Sequence, residues 1–487
     1  MSMARYENVR SAVVTAVLVL LSLPVLAMAG PPEVPKPRRA SVGVRADASG
    51  ESAGFAIDEY RERRARAVEA FAGGVLAVRG TVEAEATDAT RYRQNNWFLY
   101  LTGVRTPGAL LLIDSLAPEG ERETLYLPPR NPVMERWTGA KLGAGPEAVA
   151  AYGFERVRDT TEFDRDLRSI LERKGTAEVP VKVWTIVPTG PDATFTRDAA
   201  FAGGLRATVA TGRPGAAEVV DATAKFTALR RSKSEAEIAK LQRAIDITLA
   251  AQRAAAHDIA PGRFEYEVEG TIVGAFLRGG AEREGFPSIV GSGVNSTVLH
   301  YERNQKRIDA GDLIVIDIGA ELHGYTADIT RTWPASGRFT KRQREVYELV
   351  LEAQTAAAAA WKPGMTIRAL NEVAHATMRR SPLRDRSGRT LDESFIHGLG
   401  HFLGMDVHDV GDYSVPLRPG DVFTIEPGIY LPDEQLGVRI EDDYLVTEKG
   451  LVKLSAPAVD AGRDRAPDAP PVGGSTRNPG SNGSARI

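Results

Sequence analysis

The chain has 487 residues, with 61 Lys and Arg against 64 Asp and Glu, a formal net charge of -3, and 43% hydrophobic residues. That length exceeds one ordinary domain, so two domains with tails are expected, and the balanced charge leaves no basic footprint for nucleic acid. The absence of cysteine excludes disulfides, thiolate metal sites and a cysteine nucleophile. Any metal must then be held by His, Asp and Glu, a donor set that suits Mn, Zn, Co, Fe or Mg.

At the amino terminus Arg5 and Arg10 precede an apolar run from Ala12 to Leu26, and Ala27-Met28-Ala29 offers a small-x-small cleavage site. Residues 1–29 therefore read as a secretory signal, with a retained membrane anchor as the alternative. Pro24 and the shortness of the run favour cleavage, leaving no stable membrane span and a periplasmic or secreted product. Lack of cysteine also excludes a thioether lipid anchor and suits an oxidising compartment. Residues 30–54, rich in Pro, Ala, Arg and Ser, read as a disordered linker.

From 55 to 225 the pattern alternates between helical stretches and apolar runs, which predicts a smaller α/β domain. A charged helix spans Ile57 to Ala72. Apolar runs follow at Val75 to Val78, Trp97 to Leu101, Ala109 to Ile113, Thr124 to Leu127 and Val181 to Val187, with helices near Pro146 to Tyr152 and Glu162 to Lys174. The segment Arg91 to Asn96 reads as a polar loop before a strand, or else as a ligand contact. A boundary near Ala228 opens a second domain, 226–458. There Ser234-Glu235-Ala236-Glu237 is a capping-box pattern that starts a long helix, ending at Pro261-Gly262. Further helices are expected at Phe264 to Leu277, Lys341 to Trp361 and Thr366 to Arg380, and strands at Val422 to Ile425 and Tyr444 to Val446. The tail, 459–487, has almost nothing to bury and is expected to be disordered.

The chemistry concentrates in the second domain. Ile314-Val315-Ile316-Asp317-Ile318 and Tyr325-Thr326-Ala327-Asp328-Ile329-Thr330-Arg331 read as a β-hairpin with an acid on each strand. A carboxylate within Val-Ile-Asp-Ile must be paired or bind a cation. A shared metal is one solution; a turn or a neighbouring arginine such as Arg331 is the other. Of seven histidines in the chain, three lie in His397-Gly398-Leu399-Gly400-His401…His408, where the glycines disfavour a helix and predict an irregular loop. Glu426 ends an apolar run, and Glu441 follows Val438-Arg439-Ile440. Proline neighbours also allow Glu426 to be a turn boundary. Four strand-borne carboxylates and one imidazole carry enough charge to hold two divalent ions.

The order Asp317, Asp328, His401, Glu426, Glu441 resembles the five-ligand signature of the pita-bread metallopeptidases, a family that includes methionine aminopeptidase, aminopeptidase P and prolidase. The resemblance covers about Ala228 to Leu454, with no departure at a ligand position. Leu299-His300-Tyr301 and Arg439 before Glu441 look like the proline-specific branch. Arg93-Gln94-Asn95-Asn96-Trp97-Phe98 through Gly103, with Leu127-Pro128-Pro129-Arg130, is similar to the N-terminal domain of aminopeptidase P. The resemblance implies an α/β (α+β) fold with a pita-bread catalytic domain, two divalent ions (foremost Mn²⁺, with Co²⁺, Zn²⁺ or Fe²⁺ also fitting), proline-containing peptide substrates, and a homo-oligomer, dimer or tetramer.

On this reading a hydroxide bridging the metals is the nucleophile, and Glu426 is both ligand and proton shuttle. His300 and His408 would donate hydrogen bonds to the substrate carbonyl or gem-diolate. His397 would line the pocket for the residue after the cut, and Arg439 would orient the bridging carboxylates. The expected activity is removal of an N-terminal residue before proline. The alternatives are a dipeptidase limited to Xaa-Pro, a metal-free relative like creatinase, and a non-catalytic peptide-binding module.

Overall fold

Helix propensity, caps and apolar runs resolve the first domain into alternating elements around one sheet. A computed structural model describes residues 54–82, 92–174, 176, 178–191, 196–212 and 214–455, all within one compact unit spanning 51–487. The expected signal segment, the linker up to residue 53, the tail from 459 and Arg91 lie outside the described residues.

The elements in order are α1 (Ile57–Ala70), β1 (Gly74–Arg79), α2 (Asn96–Thr102), β2 (Leu110–Asp114), β3 (Glu123–Leu127), α3 (Glu135–Thr138), α4 (Pro146–Tyr152), β4 (Arg156–Asp159), α5 (Phe163–Lys174), β5 (Val181–Thr185), α6 (Arg197–Ala210) and β6 (Ala217–Asp221). They build a six-stranded sheet of order β4-β3-β2-β1-β5-β6. β1, β2 and β3 are antiparallel neighbours, while β4, β5 and β6 join in parallel. The central β1 is apolar on both sides of its pleat because both faces are covered. Leu76 and Val78 pack with Phe98 and Leu101 of α2, whereas Val75 and Ala77 pack with Phe163, Leu167 and Ile170 of α5.

One expected strand is a helix. Trp97 to Leu101 forms α2, and the polar loop before it leads into that helix rather than into a strand. The Asn95 side chain accepts hydrogen bonds from the Trp97 and Phe98 N–H groups, and Gly103 ends the helix in the left-handed region at φ 67°. Five apolar residues carry no decisive period, so the caps decide the conformation.

A connecting helix, α7 (Thr223–Arg231), runs straight through Ala228 and leads to α8 (Glu235–Asp258) of the second domain. The expected capping box is present: the Glu237 N–H donates to Ser234 Oγ, and the Ser234 N–H donates to Glu237 Oε2. Then follow α9 (Glu265–Gly279), β7 (Arg283–Glu284), β8 (Ile289–Ser292), β9 (Leu313–Ile318), β10 (Ala320–Leu322), β11 (Tyr325–Thr326) and β12 (Ile329–Pro334). The pattern of two helices followed by strands repeats with α10 (Lys341–Ala360), α11 (Ile367–Arg380), β13 (Val422–Ile425), β14 (Gly428–Leu431), β15 (Leu436–Arg439), β16 (Asp442–Thr447) and β17 (Gly450–Lys453).

Each half has its own core. Ile247 and Ala251 of α8 and Ile272 of α9 pack on Ile314, Ile316 and Ile318 of β9. Val350 and Ala353 of α10 and Leu370 of α11 pack on Phe423, Ile425 and Val438. The halves meet edge to edge where the Arg439 N–H donates to Thr332 Oγ1 (3.1 Å) and the Glu441 N–H donates to Thr330 O (3.1 Å). The first domain is tied to the second by Arg93 to Glu321 (2.9 Å), Arg105 to Glu282 (2.8 Å) and Arg283 Nη2 to Tyr92 O (2.7 Å).

Candidate active site

β9 and β12 run antiparallel with Thr330 opposite Asp317. Asp328, two residues before Thr330, therefore faces the same side of the pleat. Of the four acids expected on strands, only Asp317 lies within one. Asp328 immediately precedes β12, Glu426 follows β13, and Glu441 falls between β15 and β16. At these positions the ladder has stopped, yet the backbone stays anchored: the Glu426 N–H donates to Leu399 O at 2.7 Å and the Glu441 N–H to Thr330 O.

Residues 397–408 form an irregular loop, and the helical pairing of His397 with His401 does not occur. The His401 N–H donates to Thr424 Oγ1 (3.1 Å), and the Thr424 N–H donates to His401 O (2.9 Å). Such close approach demands Gly400, where a Cβ would run into Thr424 O. His401 Nδ1 lies 3.1 Å from Phe402 O, so Nδ1 carries the proton. Nε2 then presents its lone pair toward Asp328 Oδ2 (3.3 Å) and Glu426 Oε1 (3.4 Å).

Asp328, His401 and Glu441 each offer a ligand atom, all within 4.8 Å of one another. Asp317 and Glu426 line the same cavity, about 460 Å³ in volume. Burial, and then repulsion from neighbouring acids (Asp317 foremost for Asp328, Asp328 foremost for Glu441), pushes the Asp328 and Glu441 carboxyls well above the usual range. Burial lifts Glu426 to about 6 despite His401 and Arg439. Asp317 Oδ1, Asp328 Oδ1 and Glu441 Oε1 are buried without a hydrogen-bond partner among the described residues. Crowded carboxylates with orphan lone pairs are what divalent cations would satisfy, and the oxygen and imidazole donors suit them.

The other residues named from the sequence line this cavity too. Arg439 reaches Asp317 Oδ2 at 2.6 Å, Tyr430 Oη at 2.9 Å and Thr330 Oγ1 at 3.2 Å. The Thr330 hydroxyl in turn donates to Glu441 Oε2 at 2.7 Å, so one chain of bonds links two of the acids. His397 Nε2 sits 2.7 Å from Tyr430 Oη. Burial, with Arg439 next, pushes His397 down to about 4. Burial, with His401 next, also lowers His408. Both shifts favour the neutral ring; His397 then donates its Nδ1–H to Gly398 O (2.8 Å) and accepts from Tyr430 Oη at Nε2, while His408 can donate a hydrogen bond without adding charge. His300 is exposed at the mouth.

Sequence reasoning missed Tyr430, the hub between His397 and Arg439, although it closes the Ile-Glu-Pro-Gly-Ile-Tyr run. It also missed Thr330, and Glu302, an exposed carboxylate at the mouth. Phe286, Pro287, Leu299, Val407 and Tyr413 supply an apolar wall.

Residues 239–448 match metallopeptidase family M24, and residues 60–179 match the aminopeptidase P N-terminal domain. The chain is 33% identical over 428 residues to the Xaa-Pro aminopeptidase of Escherichia coli (strain K12), covering 82% of this chain and 95% of that relative. It is 40% identical to the Xaa-Pro dipeptidase of Pyrococcus furiosus, but over 231 residues, 47% of this chain and 64% of the relative. The structure is similar to that of E. coli aminopeptidase P with the inhibitor Pro-Leu, at a TM-score of 0.73 and 32% identity over 83% of this chain and 96% of that one. The chain belongs to metallopeptidase family M24, with a pita-bread domain behind an aminopeptidase P N-terminal domain. It is a hydrolase, a metalloaminopeptidase.

Proposed function

We propose that the chain hydrolyses the bond between an N-terminal residue and a following proline in peptides longer than a dipeptide. The observation that carries this reading is the extent of similarity: the aminopeptidase relative aligns through both domains, whereas the dipeptidase relative aligns over less than half the chain. Proline fits the apolar wall of the cavity, and its amide nitrogen carries no hydrogen to satisfy there.

Asp317, Asp328, His401, Glu426 and Glu441 would hold two divalent ions, with Mn²⁺ the first choice. When bound, the ions supply the Lewis acidity that makes water a nucleophile near neutral pH and polarises the scissile carbonyl. Glu426, 3.4 Å from His401 and 4.0 Å from His397, takes a proton from the attacking water and returns it to the proline nitrogen as the C–N bond breaks. His300 and His408 donate hydrogen bonds to the carbonyl oxygen as it gains charge. Arg439 fixes Asp317 directly and His397 through Tyr430, so one guanidinium orders both a ligand and the wall behind the proline ring.

Hydrolysis of Ala-Pro-Ala and Ala-Pro, with and without Mn²⁺, tests the reading. Metal-dependent cleavage of the tripeptide is expected. Cleavage of the dipeptide alone would make the chain a prolidase, and no cleavage under any metal would leave a peptide-binding protein. The proposal extends to export through residues 1–29, giving a mature chain that starts at Gly30, which mass spectrometry of the purified protein reads directly. It extends also to a homo-oligomer, dimer or tetramer, which light scattering reads.

A further inference from the structure

The loop from Phe402 to Val410 leaves His401 and brings His408 back beside it. The two rings stand 4.2 Å apart, and the Asp409 N–H donates to Phe402 O (2.8 Å) to close the loop. Residues 403–409 belong to no helix or strand, so side chains help to fix their shape. Val407 and His408 are the loop's cavity-lining residues, and an aspartate brackets them on either side.

Both aspartates are gripped from outside the catalytic core. Arg230 Nη2 donates to Asp406 Oδ2 (2.9 Å) and to Asp409 Oδ1 (2.6 Å). Lys233 Nζ donates to Asp409 Oδ2 (2.8 Å). From the first domain, Asn96 Nδ2 donates to Asp406 Oδ1 (2.7 Å), and Arg93 Nη2 donates to Met405 O (2.8 Å). The side chains of Arg230, Lys233 and Asp409 are each only 1% exposed. The Arg230 guanidinium also lies 4.5 Å over the Trp97 ring. Packing leaves no slack, since a Cβ on Gly404 would strike the Asp409 carboxylate and lie 2.9 Å from Lys233 Cε. Main-chain bonds secure the start of the loop, Leu403 N–H to Val422 O (2.9 Å) and Thr326 N–H to Gly404 O (3.0 Å), as well as its closure at Asp409. The cavity-lining pair itself is flanked by two carboxylates, held in turn by two cations.

We propose that Arg230, seconded by Lys233, is a positioning residue that clamps Asp406 and Asp409 and so holds His408 at the reacting carbonyl. It rests on the reading of His408 as a hydrogen-bond donor to substrate. It also gives the first domain and its connecting helix a part in supporting the chemistry.

The test is a double-mutant cycle on Ala-Pro-Ala hydrolysis by full-length, Mn²⁺-loaded protein, using Arg230→Lys, His408→Ala and the pair. Melting temperature and metal content are recorded for each. Arg230→Lys should lower kcat by about 10- to 100-fold with KM and metal content little changed. On the His408→Ala background the same change should cost less than about threefold, because the group it positions is gone. Equal losses on both backgrounds, or full kcat in Arg230→Lys, would overturn the inference. Should Arg230→Lys fail to fold, Asp406→Asn carries the same cycle. Its side chain is 41% exposed and the Asp409 pair stays intact. Wild-type turnover by His408→Ala alone would remove the role being supported and the inference with it, while tripeptide cleavage by the unaltered protein would leave the aminopeptidase reading standing.

Discussion

Gln252 and Gln354 do the same job in the two halves of the catalytic domain. Gln252 Nε2, reaching in from α8, donates to Ile316 O (3.1 Å) and Ile329 O (2.8 Å), the carbonyls beside Asp317 and Asp328. Gln354 Nε2, from α10, donates to Ile425 O (3.0 Å) and Ile440 O (3.2 Å), the carbonyls beside Glu426 and Glu441. Both side chains are buried. Each half therefore contributes two carboxylates whose backbones are bridged by one amide from the helix behind them. A planar NH₂ with two fixed donors suits that task, since it sets a distance as well as satisfying two acceptors.

Gln354→Leu should expose this role. It takes a donor from two buried carbonyls, while Asp442 Oδ2, which also accepts from Gln354 at 3.1 Å, keeps Lys453 Nζ at 2.6 Å. Unsatisfied buried acceptors cost ~1–3 kcal/mol each, so urea unfolding of the metal-free protein should show a loss of about 2–4 kcal/mol. Titration calorimetry should show metal affinity weakened about 10-fold or more. A destabilised variant that binds metal as tightly as wild type would show that the amide does not set the carboxylate spacing.

Glu441→Gln should act in opposite directions on stability and on metal binding. Burial, then Asp328, Glu426 and Asp317, hold the folded pKa of Glu441 well above that of an unfolded glutamate. A raised carboxyl favours the fold below the unfolded pKa, near 4.3, and opposes it increasingly as pH rises through the folded value. Without metal, the wild type should thus lose stability from about pH 5 upward, and the neutral amide should remove part of that slope. At pH 7.5 and with chelator present, we expect Glu441→Gln to unfold at a higher temperature than wild type, yet to bind no metal and turn over no substrate. A lower melting temperature than wild type in chelator would mean that the acid cluster is not strained.

The family is legible in the acids, histidines and glycines because their chemistry forbids ordinary burial: a carboxylate inside Val-Ile-Asp-Ile has few explanations. The nine residues named from the sequence come to line a single cavity. What stays hidden is the support. Gln252 and Gln354 sit mid-helix, where a glutamine reads as solvent-facing, and only the packed fold turns them inward. Arg230 reads as one more charge in Leu-Arg-Arg-Ser-Lys. Trp97 to Leu101 misleads because a short apolar run fits strand and helix alike until Asn95 is seen as a cap. Placing three of the acids on strands fails by one residue each, since the hydrophobic pattern runs up to a strand's end without marking it.

The domain junction should be acid-sensitive through Glu282. Burial alone would raise this carboxyl, but His323 and Arg105 outweigh it and push it down to about 2. A depressed carboxyl contributes stability that is complete above the unfolded pKa, near 4.3, and is lost as pH falls toward the folded value. The pair is partly exposed, so Glu282→Gln should cost only about 1 kcal/mol at pH 6. The gap from wild type should narrow between about pH 4 and pH 2. Denaturant unfolding at pH 6 and pH 3 measures it, and a gap that does not change with pH would show that the pair adds nothing to the junction.

Glu302 should tilt the enzyme's choice of peptide. An enzyme that removes one residue must leave the rest of its substrate leading out through the mouth of the cavity. Glu302 stands there, exposed, two residues from His300, and among the described residues it forms no hydrogen bond or ion pair. A free carboxylate at that point attracts a basic side chain after the proline and repels an acidic one. Exposed pairs are worth ~0.2–1 kcal/mol, so kcat/KM for Ala-Pro-Arg should exceed that for Ala-Pro-Glu by about two- to fivefold through this residue. Glu302→Gln should shrink that ratio, and so should 0.5 M salt acting on the wild type, because the attraction is screened over ~4–5 Å at that ionic strength. The C-terminally amidated peptide Ala-Pro-Ala-NH2, which carries no charge after the proline, should be cleaved equally by both proteins. A ratio unchanged by the substitution would place the outgoing peptide on another part of the rim, along Tyr413 and Val407, where charge selection has no group to act through.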